Sequence, residues 1–299
     1  MTYNSDTETN NLVESIVAHM PAPDHILELG FFRDNSAEPH SSVHHIAVPK
    51  DFEVKTFDDE KLQSTPRRAV GTATLGDDES FLAYVDRHCV VSTAAWVHFA
   101  PAQSRLAFSA VINDHMSGTP GWRDHKATFV PETSHEWKTW MAANGKRMSQ
   151  VDFAEFIEEN EKDIAGGDGL PSSLEMLSMA KNFEANSDKS FKSKVNTQSG
   201  GVELVFVDSD NAETQSRMKL FARFQVGIPV FWSTTKDGSP ITAWPLQARL
   251  KYSTAGGKLT FWYELIRPDV VHELASMNLI AKIKASLGGV PLYTGAFNG

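Results

Sequence analysis

Residues 113–163 read NDHMSGTPGWRDHKATFVPETSHEWKTWMAANGKRMSQVDFAEFIEENEKD, and the change of period inside this stretch decides the fold class. Residues 126–130 suit a strand, in which successive side chains point to opposite faces. Thr133 and Glu136 then form a capping box, the pairing that satisfies free amides at a helix start. Trp137, Trp140 and Met141 fall on one face of that helix, and Gly145 ends it, because glycine accepts the left-handed conformation just past a helix end. Ser149 with Asp152 opens a second helix, with Phe153, Phe156, Ile157 and Ile164 inward. Its outer face carries Asp152, Glu155, Glu158, Glu159, Glu161 and Asp163, and Gly166-Gly167 closes it. A third helix starts near Pro171, a favoured first-turn residue, and buries Met176, Met179, Ala180 and Phe183.

Strand signals lie on both sides of these helices. Upstream, residues 67–75, 90–99 and 105–113 read as strands, with Asp77 capping a helix over 79–88. Before them come a short helix over 12–20 and a proline-punctuated segment with short strands near 43–48 and 52–57. Downstream, 190–196 and 202–207 flank Gly200-Gly201 as a hairpin. Met218, Leu220, Ala222, Phe224, Val226, Ile228 and Val230 give the clearest alternation in the chain. It is repeated by Leu246, Ala248, Leu250 and Tyr252, then by Leu259, Phe261, Tyr263 and Leu265. A last helix from Asp269 turns Leu274, Met277, Ile280, Ile283 and Leu287 inward. The expectation is an α+β fold: antiparallel sheets flank a helical insert, an αα-hairpin plus a third helix, and a C-terminal helix follows. Three segments result, 1–66, 67–186 and 187–299, the last two able to pack as one unit.

The chain has 299 residues, 41% hydrophobic and 22% charged, enough for a substantial core. A single cysteine, Cys89, excludes an intramolecular disulfide framework and fits a reducing cytosol. The polar N-terminus resembles no targeting peptide and no apolar run reaches membrane-spanning length, so a cytoplasmic protein without membrane association is expected. The formal net charge of −10 repels a polyanion on average, which confines any nucleic-acid or nucleotide site to a local basic patch.

Two Asp-His dipeptides, Asp114-His115 and Asp124-His125, bracket a loop containing Gly118, Pro120, Gly121 and Trp122. If Asp114 stands opposite His125 in a hairpin, each face of the hairpin holds one carboxylate and one imidazole. With His88 or His98 nearby, that set suits a metal or general acid–base chemistry. The competing reading has the carboxylates orient the histidines and cap the loop. A spacing of ten across a loop is no zinc signature, and the sequence assigns no metal or cofactor. The second helix of the αα-hairpin is too acidic to lie in a DNA groove. Basic candidates for ligand binding are Arg67 and Arg68, Lys192 and Lys194 in the run 189–194, and Arg223 and Arg249 beside Gln247, Lys251 and Glu264 on the polar side of the C-terminal sheet. Trp122 is the aromatic candidate. Seven tryptophans and eighteen phenylalanines favour an interface or an aromatic-lined pocket, and hence self-association.

Several motifs occur in a characteristic order: Thr65-Pro66-Arg67-Arg68, Asn113-Asp114-His115, Trp122-x-x-His125, Ser134-x-Glu136-Trp137-x-x-Trp140, residues 153–158 (FAEFIE), Gln247-Ala248-Arg249-Leu250-x-Tyr252, and Pro291-Leu292-Tyr293-x-Gly295. In this the chain resembles the uncharacterised YfdQ-like family of tailed-phage and prophage proteins, from about residue 60 onward. The resemblance implies an early or accessory phage protein, encoded near recombination and replication functions and acting in the infected bacterial cytoplasm. It transfers no catalytic residue. The expected function is a non-enzymatic, homo-oligomeric binding protein whose partner is a nucleotide-like ligand, a nucleic acid or a host protein. It would serve counter-defence or DNA recombination. The alternatives are a metal-dependent hydrolase built on Asp114, His115, Asp124 and His125, and a structural assembly subunit.

Overall fold

The computed structural model describes residues 43–45, 56–58, 63–167, 169–182, 190–196, 201–207, 215–232, 242–253 and 260–297. It divides into two compact units, Met1–Ala69 and Val70–Gly299. In the first, β1 (Val43–His45) and β2 (Thr56–Asp58) pair antiparallel. The helix expected over 12–20 lies outside the described residues.

The second unit begins with β3 (Gly71–Leu75), α1 (Asp78–His88), β4 (Ala94–Ala100), β5 (Arg105–Val111) and β6 (His125–Phe129). Asp77 caps α1 as expected, its Oδ1 accepting the Ser80 amide at 2.7 Å. Phe81 and Val85 of α1 bury against Ala95, Val97, Phe108, Ala110, Ala127 and Phe129 of the sheet. The sheet runs β14-β4-β5-β6-β3, where β14 (Leu292–Thr294) is a strand the alternation does not announce. Its centre is antiparallel, but β3 pairs parallel with β6 and β14 parallel with β4, so the expectation of purely antiparallel sheets fails at both edges. Strand period carries no direction, and both edge strands reach their partners from distant sequence.

The helical insert follows: α2 (His135–Ala143), β7 (Met148–Ser149), α3 (Gln150–Glu159) and α4 (Ser173–Asn182). Ser134, not Thr133, caps α2. Its Oγ accepts the Trp137 amide at 2.9 Å, while Thr133 bridges to Phe231. Trp137 and Trp140 are buried as expected, but Met141 is exposed. The Ser149–Asp152 capping box on α3 is present. Asp163, expected on the solvated face, is instead buried after the end of α3, and Trp140 Nε1 donates to its Oδ2 at 2.9 Å. Burial of the carboxylate pushes its pKa upward, and the indole hydrogen bond partly opposes the shift. Phe183 lies outside the described residues.

The C-terminal part supplies β8 (Ser190–Asn196), β9 (Gly201–Val207), β10 (Gln215–Phe221), β11 (Arg223–Ile228), β12 (Trp244–Ser253), β13 (Thr260–Leu265) and α5 (Pro268–Ser286). The alternation over 218–230 is two strands in two sheets. The three-stranded sheet is ordered β10-β9-β8 and the four-stranded sheet β11-β12-β13-β7. The phase breaks at Ala222 and Arg223, successive exposed residues between buried Phe221 and Phe224. The four-stranded sheet buries Phe224, Val226, Ile228, Leu246, Ala248, Phe261 and Tyr263 against Trp140, Phe153, Ile157 and Met176 of the insert. Tyr263 Oη donates to the Trp140 carbonyl at 2.6 Å, fixing insert to sheet.

Helix α5 joins the two cores, with Ala275 in the insert-side cluster and Ile283 in the α1-side cluster. Its expected stripe holds in the C-terminal half, where Ile283 and Leu287 are buried and Ile280 packs beside them, but fails before it: Leu274 (48%) and Met277 (53%) are exposed, whereas His272, Ala275 and Ser276 are buried. A helix that crosses two cores buries small residues where it approaches closely, and a single apolar stripe does not describe it. Lys282 Nζ reaches the buried Asp78 Oδ2 at 2.7 Å and ties α5 to α1.

Candidate functional site

Two places hold the candidate chemistry of the second unit. The first is the mouth of the β5–β6 hairpin. Val111 pairs with Lys126 and the Ile112 amide donates to the His125 carbonyl, which sets Asn113 opposite Asp124 and Asp114 opposite Arg123. This is two residues out of the register that would have joined Asp114 to His125. A two-residue slip keeps side-chain parity, so Asp114 and His125 are parted along the strands rather than by face, and Arg123 and Asn113 take the positions opposite Asp114 and Asp124.

Each of the four then has a local partner. Arg123 Nε lies 2.9 Å from Asp114 Oδ1, and Arg123 itself is left-handed with φ 57°. Asn113 Nδ2 donates to Asp124 Oδ1 at 2.7 Å, while Asn113 Oδ1 accepts the His125 amide at 3.1 Å. His115 Nδ1 accepts the Gly121 amide at 2.9 Å, and Met116 and Thr119 exchange backbone hydrogen bonds. A side chain on Gly121 would collide with the Asn113 and Asp114 carbonyls, so the loop closes only around glycine. His125 is buried on the helix-covered face, its Nε2 3.0 Å from Tyr84 Oη and its ring 5.2 Å from that of His88. Desolvation lowers the His125 pKa, the neighbouring His88 charge lowers it further, and Asp124 opposes both. His98 pairs with Ala107 on β5, well along the sheet from this mouth. Among the described residues, no three His, Cys, Asp or Glu side chains converge as a metal site.

The second place is the open face of the four-stranded sheet. Alternation on β11, β12 and β13 sends Phe224, Leu246, Ala248, Leu250, Phe261 and Tyr263 inward and leaves their neighbours outward. The register sets Gln225 opposite Gln247, Arg223 opposite Arg249, Arg249 opposite Glu264, and Lys251 opposite Trp262. The Arg147 guanidinium, from the tip of the αα-hairpin, lies 4.6 Å from the Trp262 ring centroid. These positions carry four cations and one carboxylate, and that carboxylate, Glu264, already accepts from Lys251 Nζ at 2.6 Å. The Lys251 hydrogen bond holds the Glu264 pKa below the usual carboxylate range. Arg223 and Arg249 are therefore directly opposed like charges, an arrangement that costs stability in an antiparallel pair. Arg147 also lines a groove of about 430 Å³ together with Lys146, Asp152, Glu155, Phe156 and Glu159, where three carboxylates join the two cations of the hairpin tip.

Arg67 and Arg68 are exposed residues of the first unit. Lys192 and Lys194 lie on β8, an edge strand, with a register shift between Phe191 and Ser193. Trp122 is 74% exposed at the hairpin mouth. Sequence reasoning named Arg223 and Arg249 but missed Arg147 as their companion. No local pattern links residue 147 to Trp262.

Residues 31–297 match the family described as uncharacterized conserved protein (DUF2303), and the chain belongs to that family. No curated protein and no solved structure matches it. Among the described residues no helix is long and apolar enough to cross a membrane.

Proposed function

We propose that this DUF2303 protein is a non-enzymatic binding protein that holds single-stranded nucleic acid on the open face of its four-stranded sheet. The observation that carries this reading is the opposed pair Arg223–Arg249, extended by Lys251 and by Arg147 over Trp262. Cations track phosphates, the half-buried Trp262 indole offers a base a stacking surface, and glutamines supply hydrogen bonds without charge. On a chain with net charge −10, such a patch confines a polyanion to one face. The four Asp-His groups support a binding role over hydrolysis, since each is engaged in holding the hairpin mouth. The sequence resemblance to tailed-phage and prophage accessory proteins supports a setting in DNA recombination or replication during takeover of a bacterial host. Self-association belongs to this reading, supported by exposed aromatic surface at Trp122, Trp232 and Tyr293.

Fluorescence anisotropy with a labelled single-stranded oligonucleotide across a salt series tests it. The wild-type chain binds with a steep salt dependence, and R223Q/R249Q flattens the log–log slope by about 1.4, two phosphate contacts on a single strand. Binding with an unchanged slope in that variant, or no binding by the wild type, contradicts the reading.

A further inference from the structure

Helix α5 carries apolar side chains on two sides. One side meets the cores through Ala275, Ser276, Ile283 and Leu287. The other is exposed and holds Leu274, Met277, Ala281 and Ala285. Steps of three and four residues keep these four on a single stripe. The two large side chains lie in its N-terminal half and the two alanines in its C-terminal half. Charge beside the stripe divides the same way, with Glu273 in the first half and exposed Lys284 in the second. Eleven residues are three turns plus about 20°, so both lie on one flank of the stripe. About 16 Å of helix separates them, too far for an ion pair within one α5. The other charges of the helix are engaged within the chain: Lys282 reaches Asp78, and Asp269 holds Arg267.

We infer that this stripe is a dimer interface, on which α5 of a second copy of the chain packs antiparallel. A twofold axis near Leu279 sets Met277 opposite the partner's Ala281, Leu274 opposite the partner's Ala285, and Glu273 opposite the partner's Lys284. Symmetry makes each contact twice. Large side chains then meet small ones and each carboxylate meets an ammonium, so the stripe complements itself in both size and charge. A parallel pair has neither property, because it brings both glutamates to one end and both lysines to the other. The inference rests on the self-association part of the proposed function, gives it a surface, and requires no nucleic acid.

The test is sedimentation equilibrium of the full chain without nucleic acid, with circular dichroism to report that each variant is folded. The wild type is expected to be a dimer. E273K and K284E each set like charges together at both symmetry-related contacts, and each raises the dimer dissociation constant about tenfold or more. The exchange E273K/K284E restores the dimer. That rescue arises only across subunits, since the two sites are three turns apart on one helix. M277E places a carboxylate in the centre of the apolar stripe and yields monomer. Failure of the exchange to rescue overturns the antiparallel pairing. A dimer untouched by M277E and by both single reversals overturns the inference, while self-association through Trp122, Trp232 or Tyr293 stands. A monomeric wild type overturns both.

Discussion

At the mouth of the β5–β6 hairpin, Asp114, Asp124, His115 and His125 meet Arg123, Asn113, the Gly121 amide and Tyr84 respectively. On the four-stranded sheet, Arg223 meets Arg249, and the carboxylate beside them is committed to Lys251. Both places collect ionisable side chains on neighbouring strands, but the first pairs each with a complementary group and the second sets like charges together. Complementary pairing is what a loop closure needs for stability. Opposed like charges cost stability in the free protein and are relieved by an anion. The difference assigns structure to the mouth and ligand binding to the sheet face, and each substitution below acts on one side of that division.

The largest effect is expected on the basic face. R223E/R249E abolishes oligonucleotide binding, measured by anisotropy, while the melting transition shows the fold intact. Retained binding would move the ligand elsewhere and collapse the contrast. Next comes the buried Trp140–Asp163 pair, a control for what a buried polar contact is worth in the core. D163A leaves the indole N–H without its acceptor and lowers unfolding free energy by about 1–3 kcal/mol in urea titrations. D163N keeps an acceptor and loses the cost of burying charge, so it falls well short of that loss.

At the mouth, N113A removes the partner of both the Asp124 carboxylate and the His125 amide. A loss of about 1–2 kcal/mol in stability is expected, with oligonucleotide affinity unchanged. An affinity change would show that the mouth takes part in binding. The smallest effect is on pH dependence. The folded-state pKa of His125 lies below the unfolded value near 6.5, so the unfolded chain takes up the proton first as pH falls. Its stabilising contribution is complete above the unfolded value and declines as pH drops below it toward the folded one. Urea midpoints measured downward from pH 7.5 show that decline in the wild type and a weaker one in H125Q. An equal decline in both would remove His125 as the cause.

The α+β architecture was readable wherever one face of an element is wet and the other dry. Alternation located β12 and β13 with their inward residues, and Asp77 and Ser149 marked helix starts correctly. The failures occur where a tertiary partner decides. β14 is three residues long and exists through its pairing with β4. The phase break at Ala222 is a single step in an otherwise regular pattern, yet it separates two sheets. On α5 the expected stripe assumed one core where there are two. The basic face was half legible. The polar side of the C-terminal strands named Arg223, Arg249, Lys251 and Glu264 together, but which residue opposes which is a matter of register that period alone does not encode. Asp114 and His125 were misjudged for the same reason, since a two-residue slip sets Arg123 rather than His125 opposite Asp114.

The central claim is that opposed arginines are kept for a ligand at the expense of stability. R223T, measured for both properties in parallel, tests it most directly. Relief of the like-charge pair with a residue suited to a strand is expected to raise unfolding free energy by about 0.2–1 kcal/mol, while oligonucleotide affinity falls. A variant that loses stability, or gains it with no loss of affinity, contradicts the account.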